Sequence, residues 1–225
     1  MNRLFFALII GLTGVCILLW LGFWQVDRLA WKEGVLAEIE ARIAADPVAL
    51  PETPEEERDK YLPVAVTGEI GEGELYVLVS RKQVGAGYRV IAPLETDTGR
   101  RILLDRGFIK TDKRAAARPT GAAKITGNLH WPDDRNSSTP DNDEAGNIWF
   151  ARDIEDMARV LRTEPTLVIA RQTSLADTGV TPLPVDTSAI PNDHLNYAIT
   201  WFSLALIWAS MTGFFIWRTT RQKDA

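Results

Sequence analysis

Only two histidines occur in this chain of 225 residues, and one of them, His194, opens an uncharged run that ends at Trp217. A neutral imidazole is a common metal ligand and an axial ligand of haem iron. Reading forward at every third or fourth residue gives His194, Tyr197, Trp201, Leu204, Trp208, Met211 and Phe215, one stripe of a helix. On that stripe His194 can ligate the iron of a lipophilic haem whose ring rests against Tyr197 and Trp201. Arg28 and Lys32 follow the first apolar run, close to Trp24 and Trp31, and are cations suited to haem propionates. A plainer reading uses the same residues: an interfacial aromatic belt, with Arg28 and Lys32 reaching lipid headgroups. Spacing alone leaves both open, the belt being the commoner arrangement.

Other chemistry is easier to exclude. There is no Gly-x-Ser-x-Gly elbow, phosphate-binding glycine loop, His-Glu-x-x-His helix or nicotinamide fingerprint. Two histidines do not build a three-ligand zinc site unaided. Asp133 and Asp134 are adjacent carboxylates in a polar stretch, which is usually a solvated arrangement, and hydrolytic catalysis is not expected. His130, beside Trp131 at a strand end, reads as a surface or sheet histidine. The lone Cys16 lies inside an apolar run and cannot form an internal disulfide. A net charge of -5 with no basic face argues against nucleic acid as a partner.

The elements that must position these residues begin with two spans. Residues 4–26 and 195–217 carry no charge and are each long enough to cross a bilayer as a helix. Trp20, Gly22, Phe23 and Trp24 stand where a signal-peptide cleavage site would need small residues, so the first span is expected to be an uncleaved anchor. Arg3 at one end and Arg218, Arg221 and Lys223 at the other place both termini in the cytoplasm by the positive-inside tendency. Residues 218–225 are then a cytoplasmic tail. Ala205, Ala209 and Gly213 repeat at four and offer a small surface for close helix packing.

Leu29, Leu36, Ile39 and Ile43 continue helical spacing through a 27–46 extension, which Pro47 and Pro51 close. Residues 51–57 read as a solvated acidic loop. The period then changes. Leu62 to Ile70, Glu74 to Lys82, Tyr88 to Glu95, Arg101 to Ile109, Ala123 to Trp131 and Thr166 to Gln172 read as strands, punctuated by glycines. This pattern predicts an antiparallel, β-rich barrel or sandwich over 47–191, with Asp133 to Asn147 a loop and Asp153 capping a short helix to Leu161. Gly107, inside a strand run after Arg106, predicts a bulge or a close backbone approach. Pro182, Pro184 and Pro191 mark an extended tether. The fold class is therefore a membrane protein of α+β type: two terminal transmembrane helices around an extracytoplasmic β-rich domain.

Read in order, several motifs resemble the surfeit locus protein 1 family of cytochrome c oxidase assembly factors. Trp24-Gln25-x-x-Arg28-x-x-Trp31-Lys32 follows the first span. Gly87-Tyr88-Arg89-Val90-Ile91-Ala92-Pro93-Leu94 and Asp105-Arg106-Gly107-Phe108 lie among the strands. Pro140-Asp141-Asn142 and Asn147-x-Trp149-Phe150 lie in the loop, and Asn192-Asp193-His194-Leu195-Asn196-Tyr197-Ala198-Ile199-Thr200-Trp201 opens the second span. Each motif alone is weak, whereas their order between two terminal spans is specific. The family often has Asn at the positions of Asp105 and Asp193.

The resemblance implies a protein that helps build subunit I of a haem-copper oxidase by holding or presenting haem a, with His194 as the haem-associated residue. Their positions beside the spans add Tyr197 and Trp201 along the ring and Arg28 at a propionate. The resemblance also implies cytochrome c oxidase subunit I as partner, haem a synthesis enzymes as further candidates, and no catalysis by the chain itself. The other possibility is a cofactor-free scaffold that stabilises an oxidase assembly intermediate. By the same analogy Gly107 serves the integrity of the fold. The short N-terminus without an Arg/Ser-rich transit peptide leads to the expectation of a bacterial inner membrane, with the 47–191 domain periplasmic.

Overall fold

No proline interrupts the chain between Met1 and Asp46, and the helix seeded by the first apolar run continues well past it. In the computed structural model, α1 spans Asn2–Ala44 and α4, the last helix, spans His194–Arg221. Both are long and apolar enough to cross a membrane by length and composition. The structure describes residues 2–81, 84–188 and 190–222; Lys82, expected at a strand end, and Lys223 of the basic tail lie outside them. Two compact units result, one formed by Met1–Glu38 with Thr187–Ala225 and the other by Ile39–Asp186.

In the first unit the two helices pack antiparallel: as α1 advances, its neighbours on α4 move back along the chain. Gly11 faces Thr212, Gly14 faces Trp208 and Gly22 faces Phe202, in each case so closely that an added Cβ would overlap the side chain. Trp208 Nε1 donates to the Gly11 carbonyl oxygen at 3.1 Å, and Phe23 meets Phe202 edge-on at 5.3 Å. The close-packing surface is therefore carried by α1. Of the small residues expected on α4, Ala205 is buried with Ala198, but Ala209 is exposed and Gly213 has open space at its Cβ position. In lipid every face of such a helix is apolar, so apolarity does not mark the packed one.

The second unit is built on seven strands: β1 (Val48–Ala49), β2 (Pro63–Ile70), β3 (Leu75–Arg81), β4 (Gly85–Thr96), β5 (Arg101–Lys110), β6 (Gly121–Leu129) and β7 (Leu167–Thr173). Their order is β1-β2-β6-β7-β5-β4-β3, and β2 also pairs β4, so β2, β6, β7, β5 and β4 close into a five-stranded barrel. Closure runs through Gly68↔Thr96, Glu69↔Glu95 and Ile70↔Leu94, where a side chain at Gly68 would strike the Glu95 carbonyl.

The sheet is not wholly antiparallel as expected. β5 pairs β7 in parallel, and β1 pairs β2 likewise. A parallel pair needs a long crossover, and the segment between β6 and β7 supplies part of it with helix α3 (Ile154–Leu161). α3 buries Ile154, Met157, Ala158 and Leu161, the i, i+3, i+4, i+7 face. That face packs with Leu103, Ile169 and Trp149 outside the barrel, whereas Ile102, Leu104 and Val168 fill the inside. β5 is thus covered on both faces, which is why its sequence is apolar without alternation.

Local expectations need two further corrections. Asp153 occupies the N-cap position of α3 but makes no side-chain capping bond; its carboxylate instead accepts from Arg135 Nη2 and Asn142 Nδ2, both at 2.6 Å. The acidic 51–57 loop runs into a short helix, α2 (Glu56–Asp59), whose Asp59 is buried and paired with Arg58 at 2.7 Å.

Candidate functional site

Pro191 disfavours helix before it, and α4 starts at His194 with the Asp193 carbonyl accepting from the Tyr197 amide at 3.1 Å. His194 is therefore a first-turn residue, half-buried, at the end of the helix pair away from the start of α1 and the end of α4. Its Nδ1 lies 2.8 Å from Oε1 of Gln25 on α1. Gln25 itself is buried, one turn beyond Gly22, whose missing side chain gives the Phe202 ring its place. With the amide oxygen accepting, Nδ1 is the ring N–H donor, and in the neutral imidazole Nε2 is then the nitrogen that offers a lone pair to a ligand.

Tyr197 and Trp201 stand on the same face of α4 at i+3 and i+7 from His194. Tyr197 is exposed; Trp201 is half-buried, and its Nε1 has no hydrogen-bond partner among the described residues although the atom is out of solvent. Asn192 Oδ1, just ahead of the helix, is also buried and unpartnered among the described residues. Unpaired polar atoms of this kind invite an explanation beyond the protein's own contacts. Arg28 is exposed, one turn beyond Gln25, with its guanidinium 3.8 Å from the Trp31 ring centroid. The bond that ties α1 to His194 comes from Gln25, not from Arg28. An apolar groove of about 320 Å³, lined by Phe6, Ile10, Trp208 and Phe215 among others, lies toward the other end of the pair.

Among the described residues no group of three or more His, Cys, Asp or Glu side chains is placed to hold a metal ion. A metal bound by protein alone needs such a set, whereas an iron already held by a porphyrin needs only an axial ligand. His194, whose one ring hydrogen bond among the described residues is at Nδ1, with Tyr197 and Trp201 following on the same helix face, fits the second case.

Gln25 stood in a quoted motif, yet sequence reasoning gave it no role. The available signal was a polar amide within an apolar run, on the stripe shared by Gly11, Gly14 and Gly22.

The ionisable groups of the barrel unit form matched networks instead of a reactive site. The β4–β5 register shifts from Val90↔Gly107 to Ile91↔Asp105, so Arg106 is the extra residue of a β-bulge. It reaches Glu74 at 3.1 Å and Asp177 at 2.8 Å, and Glu74 also pairs with Arg118. Asp134, expected to be solvated, is paired with Arg152 at 2.6 Å; burial raises its pKa, but the Arg152 bonds outweigh that and hold it below the usual carboxylate range. His130 is half-buried against the Tyr61 ring, and burial, with Arg152 and Lys60 nearby, pushes its pKa down to about 4. None of these lies in the unit that holds His194.

Comparison with known sequences agrees with the motif order. The sequence model of the SURF1 family matches residues 12–206. Surfeit locus protein 1 of Homo sapiens is 32% identical over 209 residues, covering 82% of this chain and 69% of that protein. The SURF1-like protein of Monosiga brevicollis is 33% identical, covering 85% of this chain and 80% of its own length. The SURF1-like protein of Rickettsia felis is 30% identical, with 84% and 88% covered. With the match running from inside the first apolar helix, through the barrel, into the second, this chain belongs to the SURF1 family.

Proposed function

We propose that this protein is a cytochrome c oxidase assembly factor of a bacterial inner membrane that binds haem a and assists its delivery to, or stabilisation in, oxidase subunit I. The observation that carries the haem reading is the engagement of His194 Nδ1 by Gln25, which leaves Nε2 as the nitrogen for iron. When bound, haem a would bring the redox-active iron that the oxidase needs. The chain's part is to bind and orient: His194 would ligate the iron, Tyr197 and Trp201 would line the ring, and Arg28 would meet a propionate. The start of α1 and the end of α4 lie on the same side of the helix pair, and the basic residues Arg218 and Arg221 favour the cytoplasm for it. The 47–191 domain is then periplasmic.

The decisive measurement is a visible spectrum of the detergent-purified protein co-expressed with haem a synthesis enzymes, beside His194→Ala. A haem a spectrum that fades or shifts in the variant supports the reading. A colourless parent from cells that make haem a removes it.

One observation favours a cofactor-free scaffold as the second reading. Ala209 and Gly213 form a small-residue face of α4 that α1 leaves uncovered, a surface suited to a helix of subunit I. Capture of subunit I that survives His194→Ala but is lost in Gly213→Leu would favour it.

A further inference from the structure

Gln25 is 8% exposed within an apolar helix, and a buried amide in that setting is costly unless its polar atoms are bonded. Its Oε1 bonds the one imidazole of the helix pair, 169 residues away in sequence. The reach is set by small residues on both sides: Gly22 lets α4 approach at Phe202, and Ala198, one turn after His194, is buried in the same seam. A carbonyl oxygen accepts only, so it selects the Nδ1–H form of His194, the tautomer disfavoured by an imidazole free in water. Metal-bound histidines characteristically donate their second ring nitrogen to such an acceptor, which fixes ring orientation and raises ligand basicity.

We infer that Gln25 is the positioning residue of the haem site: by accepting from Nδ1 it holds His194 in the tautomer and ring orientation that present an unprotonated Nε2 to iron. This rests on the reading of His194 as haem ligand. It assigns to the Trp24-Gln25 motif a role distinct from the propionate contact expected of Arg28. Gln25 touches neither iron nor porphyrin and acts through His194.

The test has two stages, both on the full chain in detergent. In the first, haem-free protein carrying 15N-labelled histidine is examined by NMR above the imidazole pKa, and the His194 ring signals are identified by their loss in His194→Ala. The parent and Gln25→Glu, which keeps an acceptor, are expected in the Nδ1–H form. Gln25→Met, which removes the polar atoms at similar volume, is expected to move to Nε2–H. An Nε2–H parent, or a Gln25→Met variant still in the Nδ1–H form, overturns the inference whatever haem does.

In the second stage the proteins are loaded with haem a, and the iron–histidine stretch of the ferrous form is read by resonance Raman. Gln25→Met is expected to lower that frequency and weaken haem binding about tenfold or more, and Gln25→Glu to restore binding. A simple packing defect would lower occupancy without moving the band of the haem that remains, and that outcome rejects a positioning role. Haem retained unchanged in His194→Ala defeats the ligand reading and this inference with it. Haem lost in His194→Ala but with an unmoved band in Gln25→Met defeats this inference alone.

Discussion

Asp105, wholly buried at the β4–β5 bulge, accepts a 2.6 Å bond from Arg89 and holds the Gly107 amide at 3.0 Å through its other oxygen. Arg89 is itself largely buried and also donates to the Leu183 carbonyl. Removing one partner of such a pair strands the other charge, which typically costs about 3–5 kcal/mol. Asp105→Ala is therefore expected to lower the thermal unfolding midpoint of the purified protein sharply. Asp105→Asn retains an acceptor for Gly107 and should be the milder change. Equal midpoints for Asp105→Ala and the parent would show that the pair contributes nothing.

Gly107 has φ +124, and a Cβ there would overlap the Thr181 carbonyl of the segment that pairs with Phe108. Gly107→Ala meets both the strained backbone and the overlap, the strain alone costing on the order of 1–3 kcal/mol. Gly107→Glu should reduce the yield of folded protein further. A well-folded Gly107→Glu protein that loses only haem would contradict this structural assignment.

His130 is held neutral by the fold, with its pKa down at about 4 against an ordinary 6.5. Below pH 6.5 the unfolded chain takes up a proton that the folded chain refuses. Stability contributed by the neutral ring is thus complete above pH 6.5 and falls as pH drops toward 4, with no further change below. The loss amounts to about 3 kcal/mol. His130→Gln should flatten the pH dependence of the unfolding midpoint over that interval, and an unchanged slope would remove His130 as its source.

Arg28 faces the Trp31 ring from an exposed position, one turn beyond Gln25. An exposed cation is worth less to a bound carboxylate than an axial ligand is to iron. Arg28→Ala should consequently lower haem a occupancy by a few-fold, against near-complete loss in His194→Ala. Haem titration monitored in the visible checks this, and full occupancy in Arg28→Ala would take it out of the site.

The two apolar spans, the strand segments and their glycine turns were legible in the sequence because each is a local property. An uncharged run, a change of period or a glycine reports on its own neighbourhood. The Gly107 irregularity was legible for the same reason, since a glycine within a strand run marks a bulge wherever the strand pairs. His194 stood out by residue type and by its place at the mouth of a span.

The partners were not legible. Nothing local to β2 or β4 announces that Gly68 closes the barrel against Glu95, or that β5 meets β7 in parallel. The packed face of the membrane pair fell to α1 at Gly11, Gly14 and Gly22, because a helix apolar on every side carries no mark of which side is covered. Gln25 acquired its meaning the same way. Its type and position could be read from the chain, but its bond to His194 exists only because two distant helices fold antiparallel and bring the amide and the imidazole to one level.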